Sequence, residues 1–267
     1  MDENTHKVAI SVEVFMHIFL TSSMGGNKEV NGVKIPCHYD NRNHFVDLLK
    51  SACGTSPKVM AISSMPDGYE INDMYRDIYI GAFKSSGFDI PELVYVDLRN
   101  VGQLDRLPEF DLIILCGGHV PTQNKWFKDI NLRSRIANWD GTIVGISAGT
   151  MNAAEVVYAQ PELEGEAADP TFERYLTGLG LTDINVLPHF SEVRRFRIDG
   201  YHVEKDLTRT DSCTRPILAL NDGSFVYITK TTAHSDSCIS RYVYGNSWIF
   251  KDGRRRRYCF NGFKRKI

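Results

Sequence analysis

Hydrophobic residues in this chain gather into short unbroken runs, separated by stretches in which they recur every three or four positions. Runs at residues 14–20, 58–63, 93–97, 111–116 and 142–146 lack the alternation of a half-solvated strand and read as strands buried on both faces. Between them, residues 44–50 and 122–139 carry helical spacing. So do residues 70–86, with Ile71, Met74, Ile78 and Phe83 on one face and Gly87 at the end. A further helical stretch follows Ser147-Ala148-Gly149. Strands without alternation, each followed by a helix, predict an α/β fold: an open, mostly parallel sheet sandwiched by helices. Beyond residue 150 the pattern changes. Residues 160–185 hold acidic and small residues and read as surface loop and helix. Residues 184–187 form a short apolar stretch. Residues 217–220, 224–230 and 241–250 read as extra short strands, with turns at Asn221-Asp222-Gly223, Gly245-Asn246 and Lys251-Asp252-Gly253. No repeat or linker interrupts the chain, so a single domain over residues 1–267 is expected.

Charge and cysteine content narrow the function classes. The 267 residues hold 31 Lys+Arg against 33 Asp+Glu, a formal charge of −2, which creates no general field for nucleic acid. The basic tail, Arg254–Arg257 and Lys264-Arg265-Lys266, reads as an exposed strand and a solvated end. Six cysteines lie far apart with no C-x-x-C pair, so neither a zinc site nor a disulfide framework is indicated, and a reduced, cytoplasmic protein is expected. The apolar stretch at residues 8–20, broken by Glu13 and His17, is too short to span a bilayer. No metal, cofactor, nucleic acid or membrane is called for, and a homodimer is left open.

The sharpest chemical signal is Gly145-Ile146-Ser147-Ala148-Gly149, placed between an apolar run and a helical one. A strained strand-to-helix turn there would expose the Ser147 hydroxyl, and flanking glycines would leave room for the neighbouring strand and helix. The plainer reading is a tight turn with a helix-capping serine. A nucleophilic serine requires a base and a group to orient it. Among the eight histidines (His6, His17, His38, His44, His119, His189, His202 and His234), His189 stands beyond Pro188 at the end of a short apolar run, and His119 directly follows Gly117-Gly118. Asp222 ends another apolar run, although Asn-Asp-Gly is also an ordinary turn sequence. Gly117-Gly118 is either a strand-to-helix turn or half of an oxyanion hole, where one lost donor typically costs ~3 kcal/mol of barrier.

Taken together, Gly117-Gly118 after one strand, Gly145-Ile-Ser-Ala-Gly149 after the next, Pro188-His189, and the carboxylate of Pro216-Ile-Leu-Ala-Leu-Asn-Asp222-Gly-Ser224 resemble the dipeptidase E family of serine peptidases, which includes cyanophycinase. The resemblance spans roughly residues 58–230. It implies a flavodoxin-like, class I glutamine amidotransferase-like fold, with serine where the amidotransferases have cysteine. It also implies Ser147 as nucleophile, His189 as general base and acid, Asp222 as orienting carboxylate, and Gly118 and Ala148 as oxyanion donors. The order Ser–His–acid differs from the Ser–acid–His order of α/β-hydrolases. Asp222 stands where the family often has Glu, and His119 where it often has Asn or Asp. Glu162 falls where dipeptidase E carries an acidic residue near the site, although it also reads as a surface charge.

The family's taste for aspartyl or β-aspartyl substrates makes Arg194, Arg195 and Arg197 candidate carboxylate binders. Three close arginines also suit a solvated helix face. The reading is therefore a serine peptidase acting on short peptides, with aspartyl dipeptides or related acidic and β-aspartyl substrates as the class that the resemblance implies. A non-catalytic small-molecule or regulatory domain on the same scaffold is the alternative. A glutamine amidotransferase is disfavoured by a hydroxyl at position 147.

Overall fold

The computed structural model describes residues 13–233 and 236–267. His6, His234 and the beginning of the apolar stretch at residue 8 lie outside the described residues. The described residues begin with β1 (Glu13–Thr21), a hairpin of β2 (Gly25–Val30) and β3 (Val33–Tyr39), α1 (Phe45–Cys53) and β4 (Val59–Ile62). Next come α2 (Tyr69–Ser85), β5 (Leu93–Val96), a 3-10 stretch (Val101–Glu109) and β6 (Leu112–Leu115). They are followed by α3 (Val120–Asp129), α4 (Leu132–Ile136), β7 (Thr142–Ile146) and α5 (Ala148–Asn152). The second half holds β8 (Val156–Tyr158), β9 (Tyr175–Thr177), β10 (Asn185–Leu187), α6 (Phe190–Val193), β11 (Arg197–Ile198) and β12 (Tyr201–His202). It closes with α7 (Arg209–Asp211), β13 (Ile217–Leu220), β14 (Phe225–Ala233), β15 (Asp236–Tyr244), β16 (Ser247–Lys251), β17 (Arg254–Cys259) and β18 (Lys264–Lys266).

The main sheet has eight strands in the order β18-β15-β14-β1-β7-β6-β4-β5. From β1 to β5 all neighbours are parallel, while β14, β15 and β18 add antiparallel strands at one side. The run β5-β4-β6-β7 follows the flavodoxin-like order 2-1-3-4, and β1 takes the fifth place. Every residue of β4 and β6 is buried because both faces of the sheet are covered. Met60, Ile62, Ile113 and Leu115 pack on the side of Trp126, Phe127, Leu132 and Ile136. Val59, Ala61, Leu112 and Ile114 pack on the side of Phe45, Leu49, Ala82 and Phe83. Burial of each large side chain here contributes about 1.5–3 kcal/mol relative to exposure, which is why these runs carry no polar alternation.

A second sheet, β10-β13-β16-β17, packs over α5 and α6 through a core of Met151, Tyr158, Phe190, Ile217 and Phe250. Its β10 and β13 are parallel, with Leu187 opposite Ala219. Asn221-Asp222-Gly223 is indeed a turn, but it carries the chain from this sheet to β14 of the main one.

Residues 160–185 form no helix; they hold β9, paired antiparallel to β8, within loop. The helical stretch at 122–139 is broken at Asn131, which adopts φ 50° between α3 and α4. The β2–β3 hairpin was not expected because most of its side chains face solvent and supply no apolar run. Among the described residues no helix is long and apolar enough to cross a membrane.

Candidate active site

Five chain segments meet beyond the carboxyl ends of β1, β6, β7, β10 and β13, the edge where parallel α/β sheets bind ligands. At the end of β7, Ser147 takes φ 50° and ψ −112°, a backbone conformation that non-glycine residues rarely adopt. The surroundings enforce it. Ser147 N donates to the Thr21 carbonyl at 3.1 Å, and Thr150 Oγ1 donates to the same oxygen at 2.7 Å. Thr21 Oγ1 in turn donates to the Gly145 carbonyl at 2.8 Å. A side chain at Gly149 would collide with the Leu115 carbonyl of β6, so only glycine lets α5 sit this close. The half-buried Ser147 hydroxyl is thus turned out of the sheet edge.

His189, just beyond β10, also lies in left-handed space, at φ 52°. Its Nε2 is 3.0 Å from Ser147 Oγ, and its Nδ1 is 2.7 Å from Asp222 Oδ1. Burial would lower the pKa of His189, but the hydrogen bond and charge of Asp222, followed by the charges of Glu192 and Glu162, raise it above the usual histidine value. Burial would raise the pKa of Asp222. The hydrogen bond and charge of His189, the Ser22 hydroxyl and the charge of Arg42 together hold it below the ordinary carboxylate range.

Ser22 was not singled out from sequence. Fully buried just past β1, it donates to Asp222 Oδ1 at 2.7 Å and accepts from the His189 amide at 2.7 Å. One hydroxyl therefore fixes both the acid and the strained backbone of the imidazole. The available signal was its place in Thr21-Ser22-Ser23 at the end of a buried strand, on the same sheet edge as Ser147.

Gly117 lies against the serine: a Cβ there would be 3.3 Å from Ser147 Cβ. The Gly117 carbonyl accepts from Ser64 Oγ at 2.5 Å, which holds the Gly117-Gly118 turn next to the end of β4. Gly118 is exposed and lines the same cavity as Ser147, while Ala148, which follows Ser147 in sequence, is buried. His119 does not join the Ser147–His189–Asp222 chain of hydrogen bonds. Its Nδ1 is 2.8 Å from Thr122 Oγ1 and its Nε2 2.7 Å from Glu166 Oε1. Glu166 also accepts from the amides of Glu162 and Leu163 at 2.8 and 3.0 Å, so it clips the loop after β8 to the glycine turn. Glu162 opens to solvent on that loop, yet is crowded by protein atoms. Desolvation, then repulsion from Glu166, pushes its pKa to about 7 against the opposing pull of His189.

A cavity of about 480 Å³ opens beside Ser147, His189, Gly117 and Gly118. Arg194, Arg195 and Arg197 are not among its lining residues. Arg195 and Arg197 are exposed, and Arg197 donates to the Gly200 carbonyl at 3.2 Å. The cation that does line the cavity is Lys34, from the unexpected hairpin.

A sequence model of peptidase family S51 matches residues 39–235. The chain belongs to peptidase family S51. It is therefore a serine-type peptidase, a hydrolase. The S51 match reaches beyond the stretch over which the motifs are legible, and takes in most of the main sheet together with β10 and β13. No curated protein matches the chain. Among solved structures, a candidate peptidase E protein from Listeria monocytogenes EGD-e is similar at 18% identity and a TM-score of 0.48, over 85% of this chain and 98% of that one.

Proposed function

We propose that this S51 peptidase hydrolyses short peptides through a Ser147–His189–Asp222 triad and an acyl-enzyme. The observation that supports this is the unbroken chain of hydrogen bonds from the Ser147 hydroxyl through the imidazole to Asp222, at 3.0 and 2.7 Å. His189 Nε2 takes the proton as Oγ attacks the scissile carbonyl. Asp222 accepts from Nδ1–H, which fixes the tautomer and offsets the charge of the imidazolium that forms. The developing oxyanion faces the amides of Gly118 and Ala148, each worth about 3 kcal/mol of barrier by analogy with other oxyanion holes. His189 then returns its proton to the leaving amine. Water attacks the ester with His189 again as base, and the acid product leaves with Ser147 restored.

Aspartyl substrates are the class that the dipeptidase E resemblance suggests. With the three arginines outside the cavity, a substrate carboxylate held there would meet Lys34 instead. A binding-only domain would be favoured by Ser147 and His189 held apart, and the 3.0 Å contact favours hydrolysis. Glutamine amidotransfer has no thiolate to work with at the turn. Cys116 is buried at the end of β6, and desolvation pushes its thiol to about 11.

A small alkyl fluorophosphonate is expected to label Ser147 stoichiometrically. Ser147→Ala should cut turnover by roughly four to six orders of magnitude with unchanged thermal unfolding. Turnover at the parent rate in that variant would reject the triad.

A further inference from the structure

The cavity beside Ser147 is built for something larger than an aspartyl side chain. It lies outside the ends of β4 and β6, at the point where the strand order of the sheet reverses. Its volume of about 480 Å³ falls within the range of small-molecule sites, and a two-carbon acid would leave most of it empty. Three tyrosines run down one side. Tyr75 and Tyr79 have ring centroids 6.3 Å apart, and Tyr79 and Tyr95 are stacked at the same spacing. Met24, Met65 and Ile71 supply apolar surface around them.

The charges lining this space are equally selective. Among the described residues, Lys34, on β3, and the triad's own His189 are the only ionisable nitrogen groups that line it, and no carboxylate does. A lysyl or arginyl side chain would enter with no counter-charge and against Lys34. An aspartate could pair with Lys34, but that ammonium is exposed and already 2.7 Å from the Tyr75 hydroxyl, and exposed ion pairs add little. Deeper in, burial raises the pKa of Tyr79 and Tyr95 well above the usual phenol range, so the floor stays neutral. Aromatic rings gain from offset or edge contacts with such a wall, in addition to the area they bury.

Resting on the serine-peptidase reading of the neighbouring triad, we infer that this cavity is the pocket for a large aromatic side chain flanking the scissile bond, and that it excludes cationic ones. Specificity in the chain would then differ from a simple preference for aspartate. The β2–β3 hairpin and α2 would set it, while the arginines after α6 would not.

The test measures binding rather than turnover, so that it does not depend on the nucleophile. Full-length Ser147→Ala protein is titrated by calorimetry with Phe-Ala, Ala-Phe, Asp-Ala, Ala-Asp, Lys-Ala, Ala-Lys and Ala-Ala. One of the two phenylalanyl peptides is expected to bind at least about tenfold more tightly than Ala-Ala and than its aspartyl and lysyl counterparts. Ile71→Trp in the same background, which fills the cavity from its exposed rim, should erase that preference while thermal unfolding stays unchanged. Equal affinities, a preference for the aspartyl or lysyl peptide, or a phenylalanyl preference that survives Ile71→Trp would each overturn the assignment. Failure of fluorophosphonate labelling, by contrast, would count against the triad and leave this binding result standing.

Discussion

Ser22 has the most concentrated role at the site of any residue outside the proposed triad. Its hydroxyl satisfies the His189 amide and one oxygen of Asp222 at once, each at 2.7 Å, with no exposure to water. Ser22→Ala leaves the His189 N–H without its partner in a left-handed backbone, and an unsatisfied buried donor costs about 1–3 kcal/mol. Small displacements of a catalytic group can cost up to about a hundredfold in rate. The expected outcome is a kcat lowered by roughly ten- to a hundredfold at nearly constant KM, with part of the loss recovered in Ser22→Thr. Steady-state kinetics beside thermal unfolding would check it. A variant that loses stability but keeps its kcat would mean that Ser22 is structural only. Ser147, His189 and Asp222 stand out because each ends an apolar run, so burial of the strand fixes where the next polar residue must lie. Ser22 also ends a buried strand, but it has no flanking glycines as Ser147 does, and a hydroxyl that bridges two partners far along the chain otherwise looks like any serine there.

Secondary-structure elements explain why the parallel core was legible and the hairpin was not. β4 and β6 are buried on both faces, and burial leaves a continuous apolar run in the sequence. The β2–β3 hairpin is mostly exposed and carries polar residues, so nothing in its pattern separates it from loop. The arginines drew attention as a cluster, yet whether a cluster faces a cavity depends on tertiary placement that charge spacing does not encode. The elbow is a middle case: its glycines were visible, and their partners were not. At Gly149 an added methyl would run into the Leu115 carbonyl, a backbone atom that cannot move without shifting β6. Gly149→Ala is therefore expected to destabilise by about 1–3 kcal/mol or more, since overpacking against rigid atoms costs that much. Gly102, with nothing within 4 Å of an added Cβ, is the control, and Gly102→Ala should stay within about 0.5 kcal/mol of the parent. Denaturant unfolding of the two variants decides it. Similar midpoints would show that α5 is free to shift away from β6.

At the scale of the whole molecule, the site exists because two sheets end at the same place. The main sheet brings Ser22, Gly118 and Ser147 to its carboxyl edge, and the smaller sheet brings His189 and Asp222 from two adjacent parallel strands. The His189–Asp222 contact lies within the smaller sheet, and Ser22 and Ser147 of the main sheet hydrogen-bond to it, which ties folding stability to the protonation of that pair. The folded pKa of His189 is raised from 6.5, so its contribution is complete below about pH 6.5 and is lost as pH climbs through the folded value. The folded pKa of Asp222 is lowered from 3.8, so its contribution is present above about pH 3.8 and is lost as pH falls through the folded value. Both are present together between about pH 4 and 6.5. Under the proposed triad, catalysis needs the opposite state of the histidine, because only neutral His189 can take the Ser147 proton. Peptidase activity should therefore rise with pH through a limb lying above 6.5, across the range where the pair's contribution to stability declines. The stability difference between parent and Asp222→Asn should be largest near pH 5 to 6 and shrink toward pH 9. Urea unfolding of both proteins, set beside the parent's kcat/KM across the same pH series, tests this. A stability difference that grows as the solution turns alkaline would show that the pair does not stabilise the fold as an ionic contact.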